Sequence, residues 1–454
     1  MSQAQAKPRS NIFINRSFTL LLAGDVISLI GDAFLFVTVG LWVAYALLKG
    51  QSLGPLLISG ITVMIILPRI FIRPLAGVFV DRWNTRRTML ITDSARTVLI
   101  LALAVLAALP VSFFGSHNKY LFVIFIGLFV ASFLESLFGQ FFYPSRTSIM
   151  KDIIPEDQLQ GAYSLLQLSN AAAMIVGPPL GALLYNIGPQ FAFGADAATF
   201  LLSFLFILLI RNIAPRHSTN TSQTETISQS FFSGLKYFMS NSILVSLLIV
   251  LSIAALGGDM INGLLVFFNR DNLHATPQFY GYLLITAGIG GIAGAIASSA
   301  VSKKFSEKNI LVWSLIISGV MILFFAGSSS KYVVLAVIFF AVFFMTFFNV
   351  SANVVIMKVI EKDFIGRATS IMNPFISIAG LIASSLAGFL ASIVFYGAHF
   401  SFAYMVINNI SLVFAISGFM FVLSGAYTFF MLQLPAPNSA APEINSPIAE
   451  ADLA

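Results

Sequence analysis

The sequence predicts an all-α membrane protein of twelve transmembrane helices, built as two pseudo-symmetric six-helix bundles with both termini in the cytoplasm. Three observations lead to this prediction: the composition, the length of the apolar runs and the distribution of the basic residues. Hydrophobic residues make up 58% of the 454 residues and charged residues only 9%, whereas soluble domains are about one quarter charged. A bilayer can solvate such a chain if its backbone is hydrogen-bonded within helices or a closed barrel.

The apolar runs are about 20 to 28 residues long, which suits transmembrane helices and far exceeds the ~10-residue strands of a membrane barrel. The first run is too long for a signal-peptide core and is predicted to be retained as a helix. We number the predicted helices 1 to 12 and expect them near residues 18–42, 54–78, 88–111, 120–142, 162–186, 191–210, 242–267, 277–301, 309–328, 332–356, 369–396 and 401–432.

The segments between these helices alternate sharply in charge. On one side of the membrane they hold seventeen Lys and Arg residues, and on the other side they hold four. Because cytoplasmic loops carry an excess of Lys and Arg, this distribution places both termini in the cytoplasm. The net charge of +6 therefore follows from membrane topology. The expected partner is a lipid bilayer and not nucleic acid.

The chain divides near its middle at a long polar segment rich in Ser and Thr. The two predicted halves carry matching motifs, because Gly-Asp at 31–32 recurs at 258–259 and Ile-Met-Lys at 149–151 recurs at 356–358. Duplicated six-helix halves are one way in which transporters are built. The predicted organisation is a cytoplasmic N-terminus (1–17), an N-terminal half (18–212), a cytoplasmic linker (213–241), a C-terminal half (242–433) and a disordered cytoplasmic tail (434–454).

Residues 77–87, between helices 2 and 3, resemble the major facilitator superfamily signature G-x-x-x-D-R-x-x-R-[RK]. Thr85 stands where the family usually has its first basic residue after Asp-Arg. Flanking segments, including Asp93-Ser-Ala-Arg96, resemble the bacterial macrolide-efflux and siderophore-exporter branch, and the resemblance covers roughly residues 15 to 430. It implies the major facilitator fold and a transporter of the bacterial plasma membrane that is not an enzyme and needs no cofactor.

The same resemblance implies a cytoplasmic latch between helix 2 and the start of helix 11. The alternative for its arginines is plain positive-inside anchoring, and Asp93 with Arg96, three residues apart on helix 3, could be a structural pair. The predicted latch residues are Gly77, Asp81, Arg82, Arg86, Arg87, Asp93, Arg96 and Arg367.

Helix 5 contains Gly177-Pro178-Pro179-Leu-Gly181, which is similar to the Gly-Pro motif of drug antiporters. Glycines let helices approach closely and prolines allow a bend, although ordinary small-residue packing is an alternative. Helix 4 departs from the antiporter pattern because it lacks the usual intramembrane Arg. Helix 2 instead contains Arg69 and Arg73, to which we assign no role.

Four carboxylates fall inside the predicted helices: Asp25, Asp32, Glu135 and Asp259. A charge in hydrocarbon is expensive, so each is a candidate functional residue. The resemblance places helices 1, 4, 7 and 10 around a cavity, into which Asp32, Glu135 and Asp259 would point. Because burial disfavours an ionised carboxylate, such a residue can take up and release a proton or exchange it for a cationic substrate. The alternatives are a structural pair with Arg69 or Arg73 and a hydrogen-bonded brace between helices.

The remaining polar residues exclude several kinds of site. The chain has no Cys and no Walker loop, and its four His residues fall in loops or at helix edges, so neither a metal site nor a nucleotide site is expected. Asp196, near the outer end of helix 6, is expected to be solvated. The leading hypothesis is a proton-coupled exporter of lipophilic small molecules, such as drugs, macrolides or siderophores. The alternatives are an importer or lysolipid transporter of the same fold, and a non-transporting membrane sensor.

Overall fold

The computed structural model describes residues 14–80, 82–210, 238–360, 365–402 and 405–432. This part of the chain contains twelve helices that are long and apolar enough to cross a membrane, which confirms the predicted fold class. Most of the predicted linker and all of the predicted tail lie outside the described residues. The cytoplasmic orientation of the termini stays a prediction.

We number the membrane spans α1 to α12. The first six are α1 (Arg16–Trp42, extended by a π-helical turn over Val43–Leu47), α2 (Gly54–Phe71, followed after Ile72 by a segment over Arg73–Val80), α3 (Thr85–Ala108), α4 (His117–Ile153), α5 (Leu159–Ile187) and α6 (Pro189–Leu209). The last six are α7 (Ser242–Asn262, followed by a short helix over Leu265–Asp271), α8 (Pro277–Val301), α9 (Glu307–Gly327), α10 (Lys331–Val359), α11 (Ile365–Phe389, extended by a π-helical turn over Leu390–Val394) and α12 (Asn409–Met431). Single 3₁₀ turns lie at Val111–Phe114 and Glu156–Gln158.

Polar caps explain where several spans begin. The side chain of Asn15 accepts a hydrogen bond from the backbone N–H of Phe18 before α1, and Asn84 accepts one from Arg87 at the start of α3. Ser116 caps α4 in the same way. These side chains satisfy N–H groups that have no partner within the helix. A polar residue at the end of an apolar run therefore sets the boundary.

Helix α4 runs to Ile153, well beyond the end predicted near residue 142. The added turns are amphipathic, and their buried residues Ser145, Ile149 and Ile153 recur every four positions. Ile149 and Ile153 belong to the same apolar cluster as Phe18 of α1. Packing against α1 therefore extends the helix past the residues where the apolar run ends.

Two paired strands, over 399–402 and 405–408, lie where the sequence predicted the start of helix 12. Strand β1 (His399–Phe402) pairs antiparallel with β2 (Met405–Asn408), and His399 lies opposite Asn408. The Asn408 side chain accepts hydrogen bonds from the N–H groups of Ile410 and Ser411, at 3.0 and 2.9 Å. Asn408 therefore both ends β2 and caps α12.

The two halves contact each other through α2 with α11 and through α5 with α8. We call the side where α1 begins the near side and the side where α1 ends the far side. Within the described residues, the hydrogen bonds that join the halves all lie toward the far side. Tyr45 donates to the carbonyl of Ala275 at 2.8 Å, Asn269 donates to the Tyr45 hydroxyl at 2.7 Å, and Gln278 donates to Asn186 at 2.9 Å.

Arg270 adds a charged contact to this far-side closure. Its guanidinium donates to the carbonyl of Ala44 at the C-terminal end of α1. The same side chain holds Asp271 with two hydrogen bonds, at 2.6 and 2.9 Å. A cation at the C-terminal end of a helix is favoured by the helix dipole. The far side is therefore closed by a polar contact between the two halves.

Candidate functional site

A cavity lies between the two halves, mainly against the N-terminal one. It holds about 760 Å³ of empty space, including the part continuous with solvent. Its walls are mostly aliphatic and aromatic, from residues such as Leu35, Ile61 and Phe193. Its polar lining residues include Asp32, Thr62, Ser132, Glu135 and Asn262. Two of the four predicted carboxylates thus reach one apolar cavity.

Glu135 on α4 forms an ion pair with Arg96 on α3. The Arg96 Nη2 lies 2.7 Å from Glu135 Oε1, with the arginine side chain 3% exposed and the glutamate 20% exposed. The Arg96 guanidinium also lies 4.8 Å from the centre of the Phe200 ring, a cation–π distance. The partner of Glu135 is therefore neither Arg69 nor Arg73, the two arginines proposed in the alternative interpretation. The arginine that the predicted helix 4 lacks is supplied for Glu135 by the adjacent helix α3. The observed α4 extends beyond that prediction and contains Arg146.

Asp25, one of the four predicted carboxylates, lies outside the cavity lining. It is buried on α1 and forms an ion pair with Arg146 of α4, whose guanidinium lies 5.2 Å from the Tyr143 ring. Asp25 lies two turns nearer than Asp32 to the near side. This ion pair joins α1 to α4 between the cavity-lining Asp32 and the near side.

Asp93 and Asp196 bring two further carboxylates into the same bundle. The Ser203 hydroxyl of α6 donates to Asp93 Oδ2 of α3 at 2.6 Å. Asp196 of α6 is 0% exposed, so the prediction that it is solvated was wrong. The reason is that Gly31 of α1 has no side chain there, and a Cβ at Gly31 would collide with Asp196 Oδ1.

A sequence signal for this contact existed. The polar residues Asp196, Thr199 and Ser203 form a stripe along the otherwise apolar α6, at spacings of three and four. Opposite them, α1 presents Gly24 and Gly31, seven residues apart, and Ser203 lies 3.2 Å from where a Cβ of Gly24 would stand. Polar residues at helical spacing facing glycines at helical spacing indicate a close helix contact.

Carboxylates outnumber cations in this bundle. Away from the helix ends, the described parts of α1, α3, α4 and α6 carry five carboxylates and two arginines. Asp25 and Glu135 form the two ion pairs, and the other three carboxylates form no ion pair in the described part of the chain. Several ionised carboxylates in a buried bundle cost more than two cations can offset. The arrangement is therefore suited to binding protons or a cationic ligand. The five carboxylates are Asp25, Asp32, Asp93, Glu135 and Asp196, and the arginines are Arg96 and Arg146.

Asp259, the fourth predicted carboxylate, lies in the C-terminal half on α7. Asn262, which lines the cavity, donates to Asp259 Oδ1 at 3.2 Å. A Cβ at Gly380 of α11 would meet Asp259 Oδ2. Arg69 of α2 interacts electrostatically with both Asp32 and Asp259. Arg69 forms no ion pair with either carboxylate in the described part of the chain.

The predicted latch is only partly described. Asp81 and the side chain of Arg367 lie outside the described residues, so a contact between α2 and α11 through them stays a prediction. Gly77 lies in the second segment of α2 and has no atom within 4 Å of where a Cβ would stand. Arg82 and Arg87 are exposed.

Arg86 of the latch motif has a different partner. Its guanidinium donates to the carbonyls of Ile207 and Leu208, at 3.2 and 2.7 Å. These carbonyls lie in the last turn of α6, where helix carbonyls run short of backbone donors, and the Ile207 carbonyl also accepts a hydrogen bond from the N–H of Ile210. Arg86, Asp93 and Arg96 therefore all hold α3 to its neighbours inside the N-terminal half.

The glycines of the helix 5 motif press α5 onto α1. A Cβ at Gly181 would meet the Phe34 carbonyl oxygen and would lie 2.9 Å from Val37 Cβ, and a Cβ at Gly177 would meet Ala33. The Thr38 hydroxyl lies 3.1 Å from the Gly181 carbonyl. Helix α5 runs unbroken through both prolines. The motif thus supports the segment of α1 that carries Asp32.

Gly181→Ala is expected to destabilise the protein by about 1–3 kcal/mol, because the added methyl group overpacks against the α1 backbone. The matched control is Gly161→Ala on the same helix, where no atom lies within 4 Å of the added Cβ. There the higher helix propensity of Ala should leave stability unchanged or raised. Thermal unfolding of both purified variants in detergent measures the difference. Equal melting temperatures would show that α5 and α1 are not in close contact at Gly181.

Two six-helix halves with a cavity between them are the architecture of many membrane transporters. The chain belongs to the transmembrane secretion effector family of the major facilitator superfamily, whose family model matches residues 11–392. This membership confirms the resemblance predicted from residues 77–87. It also identifies the chain as a multi-pass membrane protein.

Individual proteins agree with this assignment. The uncharacterized MFS-type transporter YkuC of Bacillus subtilis strain 168 is 25% identical over 448 residues, covering 96% of each chain. The multidrug efflux pump Tap of Mycolicibacterium fortuitum is 26% identical over 286 residues, covering 61% of this chain and 67% of Tap. A solved bacterial homologue of the iron transporter ferroportin superposes with a TM-score of 0.71 at 15% identity, covering 92% of this chain and 99% of that one. At that identity, the likeness concerns the fold.

Proposed function

We propose that the protein is a secondary active exporter of lipophilic small molecules in the plasma membrane of a bacterium, driven by proton entry. The observation that carries the proposal is the pair of carboxylates, Asp32 and Glu135, that face one apolar cavity between the halves. The named activity of Tap, an efflux pump, supports the outward direction. Binding sites of this kind are mostly apolar with a few polar groups that fix orientation.

The cavity favours a lipophilic substrate with a positive charge. Its lining residues include two carboxylates and no Lys or Arg. A cation between apolar walls and a carboxylate has a partner in a site of low dielectric constant, where the attraction is strong. Of the two carboxylates, Asp32 has no ion-pair partner among the described residues, whereas Glu135 is held by Arg96. Asp32 is therefore the residue that would bind the cation.

The far-side closure supports an alternating-access cycle. If the termini are cytoplasmic, as the charge distribution predicts, the far side faces outward and this state opens inward. A cationic substrate would then enter from the cytoplasm and take the place of the proton on Asp32. After the halves rock to the opposite state, a proton from outside would displace the substrate. Proton and substrate compete for one carboxylate, which couples their movements.

Asp32→Asn is expected to abolish proton-driven transport, because the amide can neither release a proton nor hold a cation. The test uses purified protein in liposomes, an imposed pH gradient and tetraphenylphosphonium, a lipophilic cation without a titratable group. The matched control is Asp157→Asn, an exposed carboxylate between α4 and α5, which should transport like the unmodified protein. Full transport by the Asp32 variant would show that Asp32 is not the residue that binds the proton and the cation. Uptake that ignores the pH gradient in the unmodified protein would remove proton coupling.

A further inference from the structure

Asp196 lies directly behind the cavity without lining it. The residue that separates it from the cavity face of α1 is Gly31, the neighbour of Asp32 in sequence, and a Cβ there would collide with Asp196 Oδ1 and Thr199 Oγ1. The Asp196 side chain is fully buried. The buried Asp196 carboxylate therefore packs against Gly31, the residue that precedes the cavity-lining Asp32.

The hydrogen bonds around Asp196 do not suit an ionised carboxylate. The Thr199 hydroxyl donates to the Asp196 backbone carbonyl at 2.7 Å, and Oδ1 lies 3.2 Å from the same hydroxyl oxygen. A hydroxyl has one proton to give, so the contact from Thr199 to Asp196 Oδ1 shares that proton with the backbone carbonyl and is at most a weak hydrogen bond. The second oxygen, Oδ2, has no hydrogen-bond partner among the described residues. Burying a charge with so few donors is costly.

The charges that face Asp196 come from three helices. They are Asp32 on α1, Arg96 on α3 and Glu135 on α4. Arg96 is already paired with Glu135, so Asp32 is the charge left without a partner, and it is negative when ionised. Helix α5, which also touches α6, contributes no acidic or basic residue. The charge on Asp196 therefore depends chiefly on whether Asp32 carries a proton, a bound cation or neither.

We propose that Asp196 is a proton-binding residue of the coupling reaction, placed outside the substrate cavity and exchanging its proton through Asp32 across Gly31. Before the cation binds, Asp32 releases its proton to the cavity, and the vacated Asp32 carboxylate then accepts the Asp196 proton and releases it by the same path. The cation that binds at Asp32 therefore faces two carboxylate anions, and its positive charge stabilises both of them. When the substrate leaves, both carboxylates take up a proton again through Asp32. This inference rests on the proposed proton-coupled function and adds a second proton site to it.

The test counts the protons that leave the purified protein when tetraphenylphosphonium binds, in weakly buffered detergent solution with a pH-sensitive dye. Asp196→Asn is expected to bind the cation but to release fewer protons per cation than the unmodified protein, whereas Asp157→Asn should release the same number. A merely structural Asp196 predicts no change, because the Asn side chain can still contact Thr199. Equal proton release in the Asp196 variant and the unmodified protein overturns this inference and leaves the proposed function standing.

A second measurement covers the case in which Asp196→Asn does not fold. Infrared difference spectra of the unmodified protein report protonated carboxyl groups through their carbonyl stretching band. Adding tetraphenylphosphonium is expected to deprotonate about two carboxyl groups per bound cation, in the Glu135→Gln variant as well as in the unmodified protein, whereas Asp32 alone accounts for one. Loss of no more than one protonated carboxyl group per cation overturns the inference and leaves the proposed function standing. If the unmodified protein neither releases protons nor responds to a pH gradient, both the proposed proton coupling and the inference about Asp196 are wrong.

Discussion

Arg96→Ala is expected to lower the free energy of unfolding by about 3–5 kcal/mol, because it removes one partner of a buried ion pair and leaves the other without compensation. Arg96 holds Glu135 at 2.7 Å, and it interacts electrostatically with Asp32 and Asp93 as well. Its loss leaves several carboxylates facing one another in a buried bundle. It also removes the cation packed on the Phe200 ring. Charge and packing are therefore lost together.

Thermal unfolding in detergent, with Arg87→Ala on the same helix as the control, separates this effect from a general loss of arginine. The Arg87 side chain is exposed, so its removal should change stability by less than about 0.5 kcal/mol. The double variant Arg96→Ala with Glu135→Gln tests the cause. Neutralising Glu135 should restore part of the stability, because no unpaired charge remains at that position. If the loss of stability in the double variant equals the sum of the losses in the two single variants, the broken ion pair is not the cause of the destabilisation.

This ion pair shows where sequence reasoning stops. The sequence shows that the predicted helix 4, residues 120–142, contains no Arg, and it also shows the i,i+3 pair of Asp93 and Arg96. Arg146 belongs to α4 only because the helix extends to Ile153. What the sequence does not contain is the rotation of α3 about its axis, which turns Arg96 toward Glu135 and Asp93 toward Ser203. Asp93 and Arg96, one turn apart on α3, therefore have partners on two different helices, α6 and α4. Interhelical packing decides the partners of charges that sequence spacing alone would pair.

The number of spans could be predicted because hydropathy is a sum over about twenty residues and tolerates local errors. The boundaries depend on single contacts instead. Ile149 and Ile153 extend α4 because they pack near Phe18, and Asn408 starts α12 because a pair of strands delivers it to that position. Likewise, Asp196 looked solvated because it stands near the end of a predicted helix, while its burial depends on Gly31 of another helix.

A disulfide between residues 182 and 281 is expected to abolish transport reversibly, because it would hold the far side closed. The chain has no Cys, so an Ala182→Cys, Gly281→Cys variant carries only the two introduced thiols. Ala182 lies on α5 of the first half and Gly281 on α8 of the second, and a Cβ at Gly281 would stand 3.1 Å from Ala182 Cβ. Disulfides join Cβ atoms about 3.5–4.5 Å apart, so a small shift of the helices is enough.

Oxidation of the double variant should give a cross-linked monomer without transport of tetraphenylphosphonium, and a reductant should restore transport. The single variants Ala182→Cys and Gly281→Cys cannot form the intramolecular bond and should transport under both conditions. Alternating access requires the far-side contacts of Tyr45, Asn269 and Arg270 to break once in every cycle. Undiminished transport by fully cross-linked protein would show that α5 and α8 stay together throughout. Substrate would then have to leave the cavity by a route other than separation of the two halves.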